Sequence, residues 1–287
     1  MASRIARSII KSVFAPEQGE GVGARVRRSI GSSQVRNLDP FLMLDQFDVQ
    51  PPAGFPDHPH RGQETVTYVL EGAVMHEDFA GHRGTIYPGD LQWMTAGKGI
   101  MHAEMPAPCG AKGLQLWVNL PRKHKMCEPR YQELRDESIP RVQPQEGVSV
   151  KVISGSAFGI DSPVFTRTPI LFLDVNMKQG KKLDIEIPKH YNGFVFTISG
   201  NAQFGEHRSK EHHTLVLSDG EYLPVESPEN DARFVVIAGE PLKEPIKQYG
   251  PFVMSTDEEI YSTMMDYQTA SNGFERVRQW KSDIGNK

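Results

Sequence analysis

ETVTYVLEGAVMHED, Glu64 to Asp78, reads as a strand, a glycine turn and a returning strand, and GFVFTISGNAQFGEH, Gly193 to His207, repeats its rhythm. β-Branched and aromatic residues fill the arms of both copies, and glycine marks each reversal. The echo continues downstream. YPGDLQWM (Tyr87 to Met94) is answered by SDGEYLPV (Ser218 to Val225), and WVNLP near Trp117 by VIAGEP near Val236. Two copies of one β-unit are implied, with the change-over in the proline-dotted stretch Pro140 to Gly147. The expected domains are 1–140 and 141–287.

Working outward, short strand-like runs recur between glycine, proline and aspartate. They include Gly84 to Ile86, Leu91 to Thr95 and Leu114 to Leu120 in the first half, then Val148 to Ser154, Ile170 to Val175, Thr214 to Leu217 and Phe234 to Ala238. This spacing predicts an all-β fold of two antiparallel barrels rather than alternating β–α units. The tail differs. Thr256-Asp-Glu-Glu259 is a capping-box pattern with Ile260, Met264 and Tyr267 following at helical spacing, so a closing helix is expected, and a second short one over Gly273 to Trp280. Ser8 to Phe14 is expected as a first strand, although Met1 to Pro16 carries Arg4, Arg7 and Lys11 without an acid, a composition shared with mitochondrial presequences.

Among 287 residues, 38% are hydrophobic and 24% charged, the balance of a soluble globular protein. A net charge of −4 gives no general electrostatic reason to bind nucleic acid or an anionic membrane. Two cysteines exclude a thiolate-built zinc site and argue against a disulfide framework, which fits a reducing compartment. No run approaches the roughly 18 apolar residues that a membrane helix needs.

The chemistry lies in two histidine-bearing pairs. His58-Pro59-His60 places two imidazoles on one face of a strand, about 6.5–7 Å apart along the chain, where they can converge on one ion. His102-Ala103-Glu104 repeats that geometry after the turn at Gly97 to Gly99. Three neutral imidazoles and a carboxylate suit Fe, Mn, Ni, Cu or Zn, and leave positions open on a six-coordinate ion. Glu64 and Glu104 both compete for the carboxylate role, Glu104 being the better placed. His76, His82, His124, His190 and His207 are isolated and expected at the surface, and the adjacent His212 and His213 face opposite sides. In the second copy, the positions matching His58 and His60 fall near Glu186 and Pro188, so its metal is expected to be lost. Arg25, Arg27 and Arg28 in RVRRS, with Arg36, form the densest basic cluster, either a solvated strand or a patch for an acidic partner. Trp93 and Trp117 are expected in the core.

FPDHPHRG (Phe55 to Gly62), GDLQWMTAGKGIMHAEMP (Gly89 to Pro106), GLQLWVNLP (Gly113 to Pro121), FTRTP (Phe165 to Pro169), IAGEP (Ile237 to Pro241) and GPFVM (Gly250 to Met254) together resemble the pirin family of the cupin superfamily. The resemblance runs from about Ser8 to Asn286. It implies a bicupin fold of two jelly-roll barrels with one mononuclear iron (Fe) in the first. It also places the ligands on His58, His60, His102 and Glu104, which settles the carboxylate. The activity implied is that of a quercetin 2,3-dioxygenase, an oxidoreductase opening a flavonol with dioxygen, with Glu104 or a neighbour as the base. The alternative implied role is a redox-sensing nuclear co-regulator of NF-kappaB transcription, present in nucleus and cytoplasm and without direct sequence-specific DNA binding. Two positions depart from the family: Gln63 stands where an aromatic residue is usual, and Lys98 where arginine is commoner.

Overall fold

The computed structural model describes residues 4–21 and 23–286. Met1 to Ser3, part of the basic opening stretch, lie outside the described residues. The chain is dominated by strands, and one α-helix follows them. Its first half forms β1 (Ile9–Phe14), β2 (Glu17–Glu20), β3 (Ala24–Ile30), β4 (Phe41–Val49), β5 (Phe55–His60), β6 (Gln63–Asp78), β7 (Arg83–Ile86), β8 (Leu91–Thr95), β9 (Ile100–Asn119) and β10 (Arg130–Leu134). Helix α1 spans Asp257–Thr269.

The residues gather into two compact units, and these are not contiguous halves. One comprises Glu17–Arg28, Phe41–Asp136 and everything from Lys243 onward; the other takes the chain up to Pro16, Ser29–Pro40 and Glu137–Leu242. Against a simple division at residue 140, the tail thus joins the first half's unit and β1 joins the second half's. Backbone pairing is the reason. β1 runs antiparallel to His213–Leu217, while Arg61 and Phe252 form a parallel bridge.

In the first unit the sheet order is β10-β8-β6-β9-β4-β3-β2, with β5 also paired to β9 and β7 to β6. β6 and β9 are 16 and 20 residues long, too long to stay on one flat wall. Their ladder slips between Val69 and Glu71 and again between Gly72 and Val74. Such slips bend a strand and sharpen its twist. Gly72 is required there, because its φ is +70° and a Cβ would run into the backbone of Gly110. The two arms of β9 therefore serve two walls. Gln115 and Trp117 face Thr67 and Thr65 of β6, while His102 and Glu104 lie between β5 and the far arm of β6.

The second unit stacks a seven-stranded antiparallel sheet, from β1 to Arg141–Gln145, with a four-stranded sheet from Lys181–Glu186 to His207–Ser209. One apolar cluster draws on both, including Val150, Leu173, Phe204, Leu223, Phe234 and Val236, and every one of these is buried. The two-barrel, all-β reading is what the structure contains.

The tail holds one helix, not two. Thr256 caps α1 with the reciprocal Thr256–Glu259 bonds expected from its sequence. Residues 273–280 instead form separate turns. Their only buried large apolar side chain is Phe274, so a helix there would have no apolar face to bury. Phe274 is held by the Arg61 guanidinium, 4.6 Å from its ring centroid. Arg61 also donates to Lys98 O and to Asp266 of α1.

Candidate metal centre

β5 and β9 run antiparallel with His58 directly opposite His102, so the two same-face pairs meet on one wall. Pro59, between the histidines, faces Met101 and supplies no N–H to the ladder. Among the described residues, His58, His60 and His102 form the group of ligand atoms within 4.8 Å of one another. The Nε2 atoms of His58 and His102 are 2.9 Å apart. Two nitrogens each about 2.0–2.1 Å from one ion and at right angles around it stand about 2.9 Å apart, so the spacing fits a shared metal. The ring centroids of His60 lie 4.9 Å from His58 and 5.0 Å from His102.

The hydrogen bonds assign the ring nitrogens. His58 Nδ1 is 2.9 Å from Pro56 O, so it carries the proton and leaves Nε2 a lone pair. His60 Nδ1 lies 3.0 Å from Gln63 Nε2, which turns its Nε2 toward the trio. Burial pushes all three imidazoles below their ordinary value, and the neighbouring imidazoles depress His60 and His102 further. Neutral imidazole is the form that binds a metal.

Glu104 occupies the same face of β9 two residues beyond His102, but its oxygens are taken up elsewhere. Thr67 Oγ1 donates to Oε1 at 2.7 Å and Gln115 Nε2 to Oε2 at 2.8 Å. The structure thus brings together three of the four expected residues and holds the fourth beside them by two hydrogen bonds. A carboxylate offers about four lone-pair sites, so each oxygen keeps capacity for a further partner. Glu64, the competing carboxylate, is buried and accepts from Thr95 Oγ1 at 2.7 Å. It lies outside the group.

Two expectations fail. His76 is not at the surface: it is 2% exposed, opposite Glu104 in the ladder, with Nε2 2.9 Å from Glu133 Oε1. That contact, with Gln92, holds the Glu133 carboxyl down at about 2. Trp93 is core as expected, whereas Trp117 is only half-buried and meets His60 edge-on at 5.1 Å. In the basic cluster, Arg25 and Arg27 pair with Glu17, and Arg28 with Glu20 and Asp45. The hairpin of β2 and β3 brings Glu17 and Glu20 to the arginines, and Asp45 reaches Arg28 from β4. The second unit's Glu186 pairs with Arg4 at the surface, and among the described residues no ligand group forms there.

The pirin family model matches residues 23–118, and the model of the pirin C-terminal cupin domain matches 172–273. Human Pirin is 55% identical over 289 residues, covering 98% of this chain and 99% of that protein. The chain belongs to the pirin family. A pirin-like protein of tomato, Solanum lycopersicum, is likewise 55% identical over 281 residues, covering 96% of each chain. Among solved structures, a quercetin 2,3-dioxygenase from Acinetobacter baumannii superposes with a TM-score of 0.86 at 32% identity, covering 92% of this chain and 98% of that one. The three histidines all lie in the stretch that the pirin family model matches, ahead of the C-terminal cupin domain.

Proposed function

We propose that this pirin-family protein holds one iron ion on His58, His60, His102 and Glu104 and opens flavonols such as quercetin with dioxygen. The observation carrying the proposal is the convergence of three neutral imidazoles, His60 and His102 buried and His58 half-buried, with a carboxylate fixed beside them. The likeness to a quercetin 2,3-dioxygenase supports the choice of substrate class. When bound, the ion would act as a Lewis acid for the flavonol oxygens and as the electron conduit to dioxygen.

The residues do the rest. The depressed imidazoles stay unprotonated near neutral pH, so protons do not compete for the ligand nitrogens. Thr67 and Gln115 fix the two oxygens of Glu104, leaving lone pairs able to take the flavonol 3-hydroxyl proton. Trp117 borders the site, meeting His60 edge-on.

The test is turnover of quercetin by the iron-loaded chain, followed by loss of flavonol absorbance and release of carbon monoxide. Glu104→Gln is expected to lower turnover about 10²–10⁴-fold, the usual range for a removed general base. An iron-loaded wild-type chain that leaves quercetin untouched, or a Glu104→Gln variant as fast as wild type, contradicts the proposal. The regulatory alternative, NF-kappaB co-regulation, rests on the likeness to human Pirin. The arginine cluster lends it little separate support, because Arg25, Arg27 and Arg28 are paired with Glu17, Glu20 and Asp45.

A further inference from the structure

Among the described residues, the ligand strand β5 pairs with β9 alone, and that ladder slips between Phe55 and His58. Pro56 and Asp57 therefore stand out of register immediately before the first histidine. The turn at Ser282 to Asn286 meets them there. Asp57 Oδ2 accepts from Ser282 N at 3.2 Å and from Asn286 Nδ2 at 3.0 Å. The next two amides of the turn reach a carboxylate on another strand. Asp283 N donates to Glu77 Oε2 of β6 at 2.6 Å, and Ile284 N to the same oxygen at 3.2 Å. Successive backbone N–H groups aimed at carboxylates make an anion-holding concavity, and here it grips two strands at once.

The grip falls beside the groups that shape the site. Asp57 adjoins His58 in the chain, and Pro56 O stands 2.9 Å from the His58 ring. Glu77 faces Ala103 in the ladder, between His102 and Glu104. Ser282 and Ile284 are buried, and a Cβ on Gly285 would come within 3.2 Å of Pro56 Cα, so the turn lies flush on the ligand strand. Arg83 joins Glu77 to Asp283 at 3.0 and 3.1 Å, but Arg83 and Asp283 are exposed and this outer pair adds little. Resting on the metal-site reading, we propose that the turn at Ser282 to Asn286 is a clasp: by holding Asp57 and Glu77 it fixes β5 beside β6 and keeps His58 in place for a metal ion. Ser282, Ile284 and Asn286 are positioning residues, and metal retention depends on a segment more than two hundred positions from the ligands.

The experiment compares the full chain with one ending at Lys281, each with and without Asp57→Ala. Zinc affinity is read by competition with a chelator, and amide hydrogen exchange is followed on the metal-free proteins. Ending the chain at Lys281 is expected to weaken zinc binding about 10–100-fold, the usual cost of losing a ligand's outer partners. It is also expected to speed exchange across Phe55–His60 while Leu91–Thr95 keeps its protection, a split that general destabilisation would not produce. In the Asp57→Ala background the same truncation is expected to cost several-fold less, because one of the two grips is already gone. Where the shortened chain does not fold, full-length Asp57→Ala carries the test, with faster β5 exchange and weaker zinc binding expected. Wild-type zinc affinity or unchanged β5 exchange in the folded variant overturns this proposal alone. A wild-type chain that takes up neither zinc nor iron overturns the site reading and this inference with it.

Discussion

At the scale of residues, strand alternation governs the geometry of the histidine cluster. Two residues separated by one in a strand share a face, so His58 with His60 and His102 with Glu104 had to point together. His76 was not legible. It sits beyond the slips at Val69/Glu71 and Gly72/Val74, which break the two-residue rhythm and turn a position that looked isolated into the barrel wall. Gln63 was visible as an oddity, but its partner His60 sits across a turn whose path no periodicity predicts. The depressed imidazoles have a consequence for stability. Their unfolded forms titrate near 6.5 while their folded forms hold protons less readily, so the unfolded chain binds more protons as the pH falls. Metal-free protein is expected to lose stability progressively below about pH 6.5 and to gain nothing from these groups above pH 7. Urea titrations at pH 5, 6 and 7 check the direction. A denaturation midpoint that rises on acidification, and falls again when all three histidines are replaced, refutes it.

At the scale of elements, strands were readable from composition and turns from glycine, whereas the partners of each strand were not. Leu91–Thr95 and Val148–Ser154 stand where composition places them, yet nothing local announces that the tail returns to the ligand-bearing turn. That return is built from buried polar groups. Lys125, 1% exposed, donates from Nζ to Gly62 O at 2.9 Å, Asn119 Oδ1 at 2.6 Å and Val253 O at 3.1 Å. Lys125→Ala strands these acceptors and is expected to cost about 2–4 kcal/mol, read by denaturant unfolding. Gly62 has φ +78°, and a Cβ there would strike the backbone oxygen of Val253. Gly62→Ala is therefore expected to destabilise by at least about 2 kcal/mol and, lying two residues from His60, to weaken metal binding as well. A Gly62→Ala chain with wild-type unfolding and wild-type metal affinity shows that the turn does not hold the ligand strand in place.

At the scale of the whole molecule, duplication was readable and the exchange of terminal segments was not. The repeat of Glu64–Asp78 in Gly193–His207 is a matter of composition, while assignment of β1 and the tail to their units depends on hydrogen bonds between residues some two hundred positions apart. The two units have taken different courses. One lines its ligand wall with imidazoles and carboxylates; the other fills its interior with residues such as Phe204, Phe234 and Val236. On the proposed reading, one ion per chain is the expected stoichiometry. The most direct test is elemental analysis of the purified full chain after iron loading, alongside His58→Ala and His102→Ala. One equivalent in wild type and about a tenth or less in each variant is the expected result, since a site left with two imidazoles loses most of its affinity. Equal metal in wild type and His102→Ala would place the ion elsewhere and contradict the account.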